Sequence, residues 1–188
     1  MTTLVLLLEE PSAKALLEGV LPRMLPRDVS VLYLHFEGKQ DLEKNIVGKL
    51  RAWRTPDTQF VILRDQDAGD CQNVKARLLA KVTESKRTAL VRVACRELEA
   101  WVVGDLAAVA KAFERPEVSK QATKEKFRDP DALGNPAQEL RALVPEYQKV
   151  DGARRVGRLL DPSRNASRSF KAFCDGLKKL FPDPTGER

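Results

Sequence analysis

One histidine and three cysteines in 188 residues leave little for a thiolate or imidazole metal centre. Cys71, Cys95 and Cys174 lie far apart and follow no metal-ligand spacing, so structural zinc is not expected, and an odd thiol count argues against a disulfide framework. Long apolar runs are also missing. None approaches the roughly 18 residues that span a bilayer, so no membrane partner is expected. The opening segment, Met1-Thr2-Thr3-Leu4-Val5-Leu6-Leu7-Leu8-Glu9-Glu10, has no basic leader and its apolar stretch stops at Leu8. It reads as a first buried strand rather than a signal peptide, and a cytoplasmic location is expected. No Gly-x-Gly-x-x-Gly or Walker-type loop cradles a nucleotide, which weakens a small-molecule phosphotransfer enzyme. Ser167 and Ser169 have no partnering histidine, which makes a serine nucleophile improbable.

Charge is what the chain does have. Charged residues make up 32% and the formal net charge is +6, with residues 151–188 carrying nine Lys/Arg against five Asp/Glu. A basic C-terminal part suits a polyanion such as nucleic acid, with Arg154, Arg155, Arg158, Arg164 and Arg168 as candidate phosphate contacts; a solvated helix face is the alternative.

The order of elements points to α/β architecture. Leu4–Leu8, Val29–Phe36, the run from Phe60 and Thr88–Ala94 read as strands. Helical stripes lie between them: Ala15, Leu16, Val20 and Leu21 after an N-cap at Ser12; Leu42, Ile46, Val47, Leu50 and Trp53; and Val74, Leu78 and Leu79 after a cap at Asp70. A fourth helix is expected from Arg96 to about Phe113. Such alternation predicts a four-stranded, mainly parallel, Rossmann-like sheet flanked by helices. From residue 114 onward, Arg115-Pro116, Asp129-Pro130, Asn135-Pro136 and Val144-Pro145 punctuate short helical pieces, and Phe170, Phe173, Leu177 and Leu180 mark a last amphipathic helix. The predicted organisation is a core over 1–113 and a helical extension over 114–188 packed on it. Trp53 and Trp101 fall on apolar faces and read as core; His35 reads as a partly buried strand residue.

The strongest chemical signal is Phe60-Val61-Ile62-Leu63-Arg64-Asp65-Gln66-Asp67, a buried strand ending in two carboxylates. Strand 1 ends in Glu9-Glu10, and strand 4 leads into Glu97 and Glu99. Ligands of parallel α/β sheets bind at the carboxyl ends of strands, so these acids are expected along one edge. Carboxylates held together raise one another's pKa unless a cation compensates, and hard oxygen donors suit Mg²⁺ or Mn²⁺.

In this order the acids resemble the Toprim domain of topoisomerases, primases and overcoming-lysogenization-defect nucleases, which has a glutamate after strand 1 and Asp-x-Asp after strand 3. The resemblance implies a magnesium site made of Glu9, Asp65 and Asp67. Where the family has glycine after that glutamate, Glu10 stands here, and the backbone is less free. A narrower resemblance covers nearly the whole chain. Glu9-Glu10-Pro11-Ser12, Gly38-Lys39-Gln40-Asp41-Leu42, Glu97-Leu98-Glu99-Ala100-Trp101 and Asn165-Ala166-Ser167-Arg168-Ser169-Phe170 are similar to segments of a Toprim-related bacterial family of unknown function, DUF4276. Members of that group are often companions of ATPases in mobile or defence-related gene sets, so an ATPase partner is implied.

Roles follow from chemistry. Asp65 and Asp67 would hold the metal; Glu9 would be a further ligand or a general acid/base. Glu97 and Glu99 do not share a helix face, so at most one is expected in the site, and Glu97 is favoured as nearer the strand. Lys39, on the same edge, would pair a phosphate. The expected function is Mg²⁺-dependent phosphodiester chemistry on nucleic acid, as a nuclease; the alternative is a non-catalytic Toprim-fold module that binds nucleic acid or a partner ATPase.

Overall fold

The computed structural model describes residues 2–182. Asp183, Glu187 and Arg188, counted above in the C-terminal charge, lie outside them. Four strands form one sheet: β1 (Thr3–Leu8), β2 (Ser30–His35), β3 (Thr58–Asp65) and β4 (Leu90–Ala94), in the order β2-β1-β3-β4. Every pairing is parallel, with Leu8 beside His35 and Leu63, and Asp65 beside Ala94. The strands are the continuous apolar runs of the sequence because the two central ones are covered on both faces. Leu4, Leu6, Leu8, Val61 and Leu63 point into one core cluster; Val5, Leu7, Phe60 and Ile62 point into the other.

The second cluster is closed by α2 (Lys39–Ala52) and α3 (Cys71–Glu84), through Leu42, Ile46, Leu50, Val74, Leu78 and Val82. Asp70 caps α3 by accepting from the Asn73 amide. Leu79, expected on the buried stripe, is 41% exposed, and Val82 takes its place. The first cluster is closed by α1 (Pro11–Val20) and by the later helices α4 (Glu99–Val103), α5 (Leu106–Ala112), α6 (Pro116–Ser119), α7 (Pro136–Leu143), α8 (Lys149–Gly157) and α9 (Arg168–Leu180). Among the described residues no strand follows β4.

Three local expectations need correction. Glu10, not Ser12, is the N-cap of α1, because Pro11 occupies the first helical position, where a missing N–H costs nothing; Ser12 instead donates to Glu10 Oε1 at 2.6 Å. The single helix expected from Arg96 to Phe113 is two, α4 and α5. Asp105 breaks it by accepting from the Ala108 amide, while Asn165 presses on Gly104, where a Cβ would lie 2.1 Å from Asn165 Oδ1. His35 is exposed, because β2 is an edge strand.

The C-terminal segment locks this break. Ala166 donates its amide to Gly104 O at 2.8 Å, and Asn165 Nδ2 donates to Trp101 O at 2.7 Å. Ser169 Oγ accepts from the indole of the fully buried Trp101, and Ser167 caps α9. Helices α1 and α8 meet backbone to backbone: a Cβ on Gly157 would stand 2.4 Å from Leu16 O, and one on Gly19 2.4 Å from the Gly157 carbonyl carbon.

Candidate functional site

Strand order reverses between β1 and β3, since β2 lies on one side of β1 and β3 with β4 on the other. Ligands of such sheets bind beyond the carboxyl ends of the strands at this point, where Glu9 directly follows β1 and Asp65 is the last residue of β3. The backbone amide of Asp65 donates to Glu9 Oε2 at 3.0 Å, so the acids are tied across the switch point.

Alternation along β3 explains what happens next. Asp65 continues the series Val61, Leu63 and therefore faces the α1 and α4 side, where it is 9% exposed. Burial first, then Glu9, Glu99 and Glu10, push its carboxyl well above the usual range. Burial likewise raises Glu9, with Asp67 and Glu10 adding to it while the Asp65 amide and Arg64 oppose. Glu99, 1% exposed, is raised by burial against the pull of Lys149, and neither of its oxygens has a hydrogen-bond partner. Lys149, at the start of α8, reaches Glu10 Oε1 at 3.1 Å and Oε2 at 3.3 Å. Burial works against its charge, but Glu99 and Glu10 outweigh that and leave its pKa raised.

Asp67 does not follow Asp65. Its φ of 56° places it in the left-handed region, where the strand alternation ends. Its amide is held by Arg96 O at 2.8 Å, and its carboxylate turns to the α2 side, 2.8 Å from Lys39 Nζ and 3.6 Å from Arg64 Nη2. Arg64, alternating to the same side as Phe60 and Ile62, is 4% exposed; Nη1 donates to Glu43 at 2.8 Å and Nε lies 3.8 Å from Glu9 Oε2. The two aspartates thus serve opposite sides of the sheet edge.

Glu97 is engaged elsewhere: its Oε2 accepts from the Ala137 amide at 2.9 Å, in the first turn of α7. Glu99 is the acid that faces Asp65, and its place inside the apolar run Leu98-Glu99-Ala100-Trp101-Val102-Val103 was a readable sign of a buried carboxylate. Lys149 carries no such local sign. The structure splits the five arginines: Arg164 grips buried Asp105 with two 2.8 Å bonds, Arg168 pairs Asp129 at 2.7 Å, Arg155 lies over the Phe113 ring at 4.1 Å, Arg154 is 3.6 Å from Asp151, and Arg158 is exposed on the surface. They do not gather at the acidic edge.

The donor chemistry suits a hard divalent ion, because Asp65 and Glu99 are buried, charge-crowded, and in the case of Glu99 wholly without hydrogen bonds. The geometry is a different matter. Among the described residues no three His, Cys, Asp or Glu side chains are gathered as a metal-binding group. Among the described residues, too, no helix is long and apolar enough to cross a membrane.

A parallel α/β sheet with acids from β1 and β3 at its switch point is the Toprim-like arrangement that the sequence resembles. Residues 8–178 match the model of the family described as "Domain of unknown function (DUF4276)", and the chain belongs to that family. Among solved structures, the C-terminal region of the Burkholderia pseudomallei OLD protein has a similar fold, with a TM-score of 0.50 at 16% identity over 94% of this chain and 95% of that one. No curated protein matches the sequence.

Proposed function

We propose that the protein is a Mg²⁺- or Mn²⁺-dependent enzyme of phosphodiester chemistry on nucleic acid, most simply a nuclease. The observation that carries this reading is buried Asp65, pushed well above the carboxylate range beside Glu99, whose oxygens have no partner. Uncompensated carboxylates at a switch point are costly, and a cation removes the cost. Asp65 and Glu99 would hold it, joined by Glu9 and Asp67 once their side chains turn in, Asp67 on leaving Lys39. When bound, such an ion polarises a phosphoryl oxygen and lowers the pKa of a coordinated water.

The chain's own groups have distinct tasks. Glu9 Oε2 is occupied by the Asp65 amide, so Oε1 is the atom that can take and return a proton, and burial raises its pKa above the usual carboxylate range. Lys149 supplies a fixed ammonium that can meet charge developing on the leaving oxygen. Lys39, 49% exposed, is free to exchange Asp67 for a phosphate.

A second reading, a non-catalytic module that binds nucleic acid or a partner ATPase, is supported by the Lys39–Asp67 pair, which keeps one expected ligand out of the acid cluster. Labelled DNA and RNA incubated with the full chain in Mn²⁺ separate the two. Cleavage that disappears in Asp65→Ala and in Glu99→Gln supports the enzyme; no cleavage under either metal, with nucleic acid still bound, supports the module.

A further inference from the structure

Beside the acid cluster, on the α2 and α3 side of the sheet edge, lies a cleft of about 380 Å³ lined by Lys39, Glu43, Arg64, Asp67, Gly69 and Arg77 among others. Three cations face two carboxylates there. Helix α2 begins at this cleft with Gly38 at a φ of 95° and no side chain capping it, so the positive end of a 14-residue helix opens towards it. Asp41 does not fill that role, since its carboxylate takes the Glu37 amide and Asn45 Nδ2.

Arg64 gives the second, independent sign. It lines the cleft and is 4% exposed, with Nη1 and Nη2 on the cleft side, while Nε, which has no hydrogen-bond partner, stands towards Glu9 at 3.8 Å. Its other nitrogens are shared with Glu43, at 2.8 Å, and Asp67, at 3.6 Å, and Glu43 also lies 3.8 Å from Arg77. Two guanidinium forks, one ammonium and an open helix end match the several oxygens of a phosphate better than the two of a carboxylate.

We propose that this cleft binds a phosphate of the nucleic-acid strand adjacent to the one presented to Glu9 and Asp65. The inference rests on the phosphodiester reading above, and it makes the substrate a strand with at least two phosphates in register. Arg64 is the partition, 3.8 Å from Glu9 on one side and in the cleft on the other. Occupation of the cleft draws Lys39 towards the phosphate and releases Asp67 from its ion pair.

The test uses the full chain in EDTA, so that it does not depend on cleavage. Amide NMR is followed while inorganic phosphate, a 5′-deoxymononucleotide or the matching nucleoside is added. Phosphate and nucleotide should shift the amides of Gly38, Lys39, Gln40 and Gly69, and the nucleoside should not. Arg77→Ala, an exposed change that leaves the fold intact, should weaken nucleotide binding about tenfold, the loss of one charge-assisted hydrogen bond. It should also lower the log–log salt slope for a short single strand by about 0.7, with Arg77→Lys restoring most of it and Lys178→Ala on α9 leaving it unchanged. Unshifted amides at Gly38–Gln40, or equal losses in Arg77→Ala and Lys178→Ala, would overturn the assignment. Failure of the phosphodiester reading looks different: no cleavage with metal, while the phosphate-dependent shifts persist.

Discussion

Two glycine-to-alanine changes should move stability in opposite directions. Gly48 sits inside α2 with open space around it, and a Cβ there meets nothing within 4 Å. Alanine at that position removes backbone entropy from the unfolded chain and should stabilise by about 0.5–1 kcal/mol. Gly157 closes α8, and its added Cβ would stand 2.4 Å from Leu16 O and 3.1 Å from Leu16 Cα. Both are backbone atoms, so no rotamer can turn away; α8 must retreat from α1 by about 1 Å to reach ordinary contact. Overpacking of this kind costs about 1–3 kcal/mol. The helix-propensity gain offsets less than about 1 kcal/mol of that at a terminal position. The net loss should be about 1–2 kcal/mol. For a chain of this length each kcal/mol moves Tm by about 2–4 °C. Thermal unfolding followed by circular dichroism should therefore show Gly48→Ala melting about 1–4 °C higher and Gly157→Ala about 2–8 °C lower than the parent. If Gly157→Ala melts as high as Gly48→Ala, the backbone contact between α1 and α8 is not there.

The buried acids set the sign of a pH effect. Asp65, Glu9 and Glu99 have folded pKa values above their unfolded ones, so the native state binds more protons in the interval between them, and stability falls as pH rises from about 4. In EDTA, the gap in Tm between Asp65→Asn and the parent should widen in favour of the variant over that interval; a constant gap would mean that Asp65 is ionised normally. Arg164→Ala strands the fully buried Asp105 carboxylate, which keeps only the Ala108 and Asp161 amides. Because Arg164 is half-exposed, the expected loss is discounted from the 3–5 kcal/mol of a fully buried pair to about 1–2 kcal/mol, read as a lower urea midpoint at unchanged slope.

Most of the architecture was legible because it depends on local pattern. The runs at Leu4–Leu8 and Phe60–Leu63 are continuous because both faces are covered, and the stripe of Leu42, Ile46 and Leu50 states its period directly. Asp65 was legible for the same reason, as the residue that ends a buried strand. What escaped was set by distant partners. Asp67 carries the same motif weight as Asp65, yet a single left-handed residue sends it to Lys39. The break at Gly104 has a local sign in Asp105, which caps α5, but the wedge against Gly104 is Asn165, far along the chain. Arg155, Arg164 and Arg168 looked like part of a basic face because their partners, Phe113, Asp105 and Asp129, are dozens of residues away or lack charge.

The segment Asn165–Phe170, which the sequence marked only as similar to a family segment, is a fastening. It satisfies the carbonyls of Trp101 and Gly104, accepts a hydrogen bond from the indole, and caps α9. Trp101 and Glu99 share one short helix, so whatever holds the indole also holds the carboxylate at its depth. A descendant that kept Glu9, Asp65 and Glu99 but lost this fastening would still spell out the acids and no longer assemble them. The presence of the segment therefore reports on whether the acids are aimed, which the acids themselves cannot.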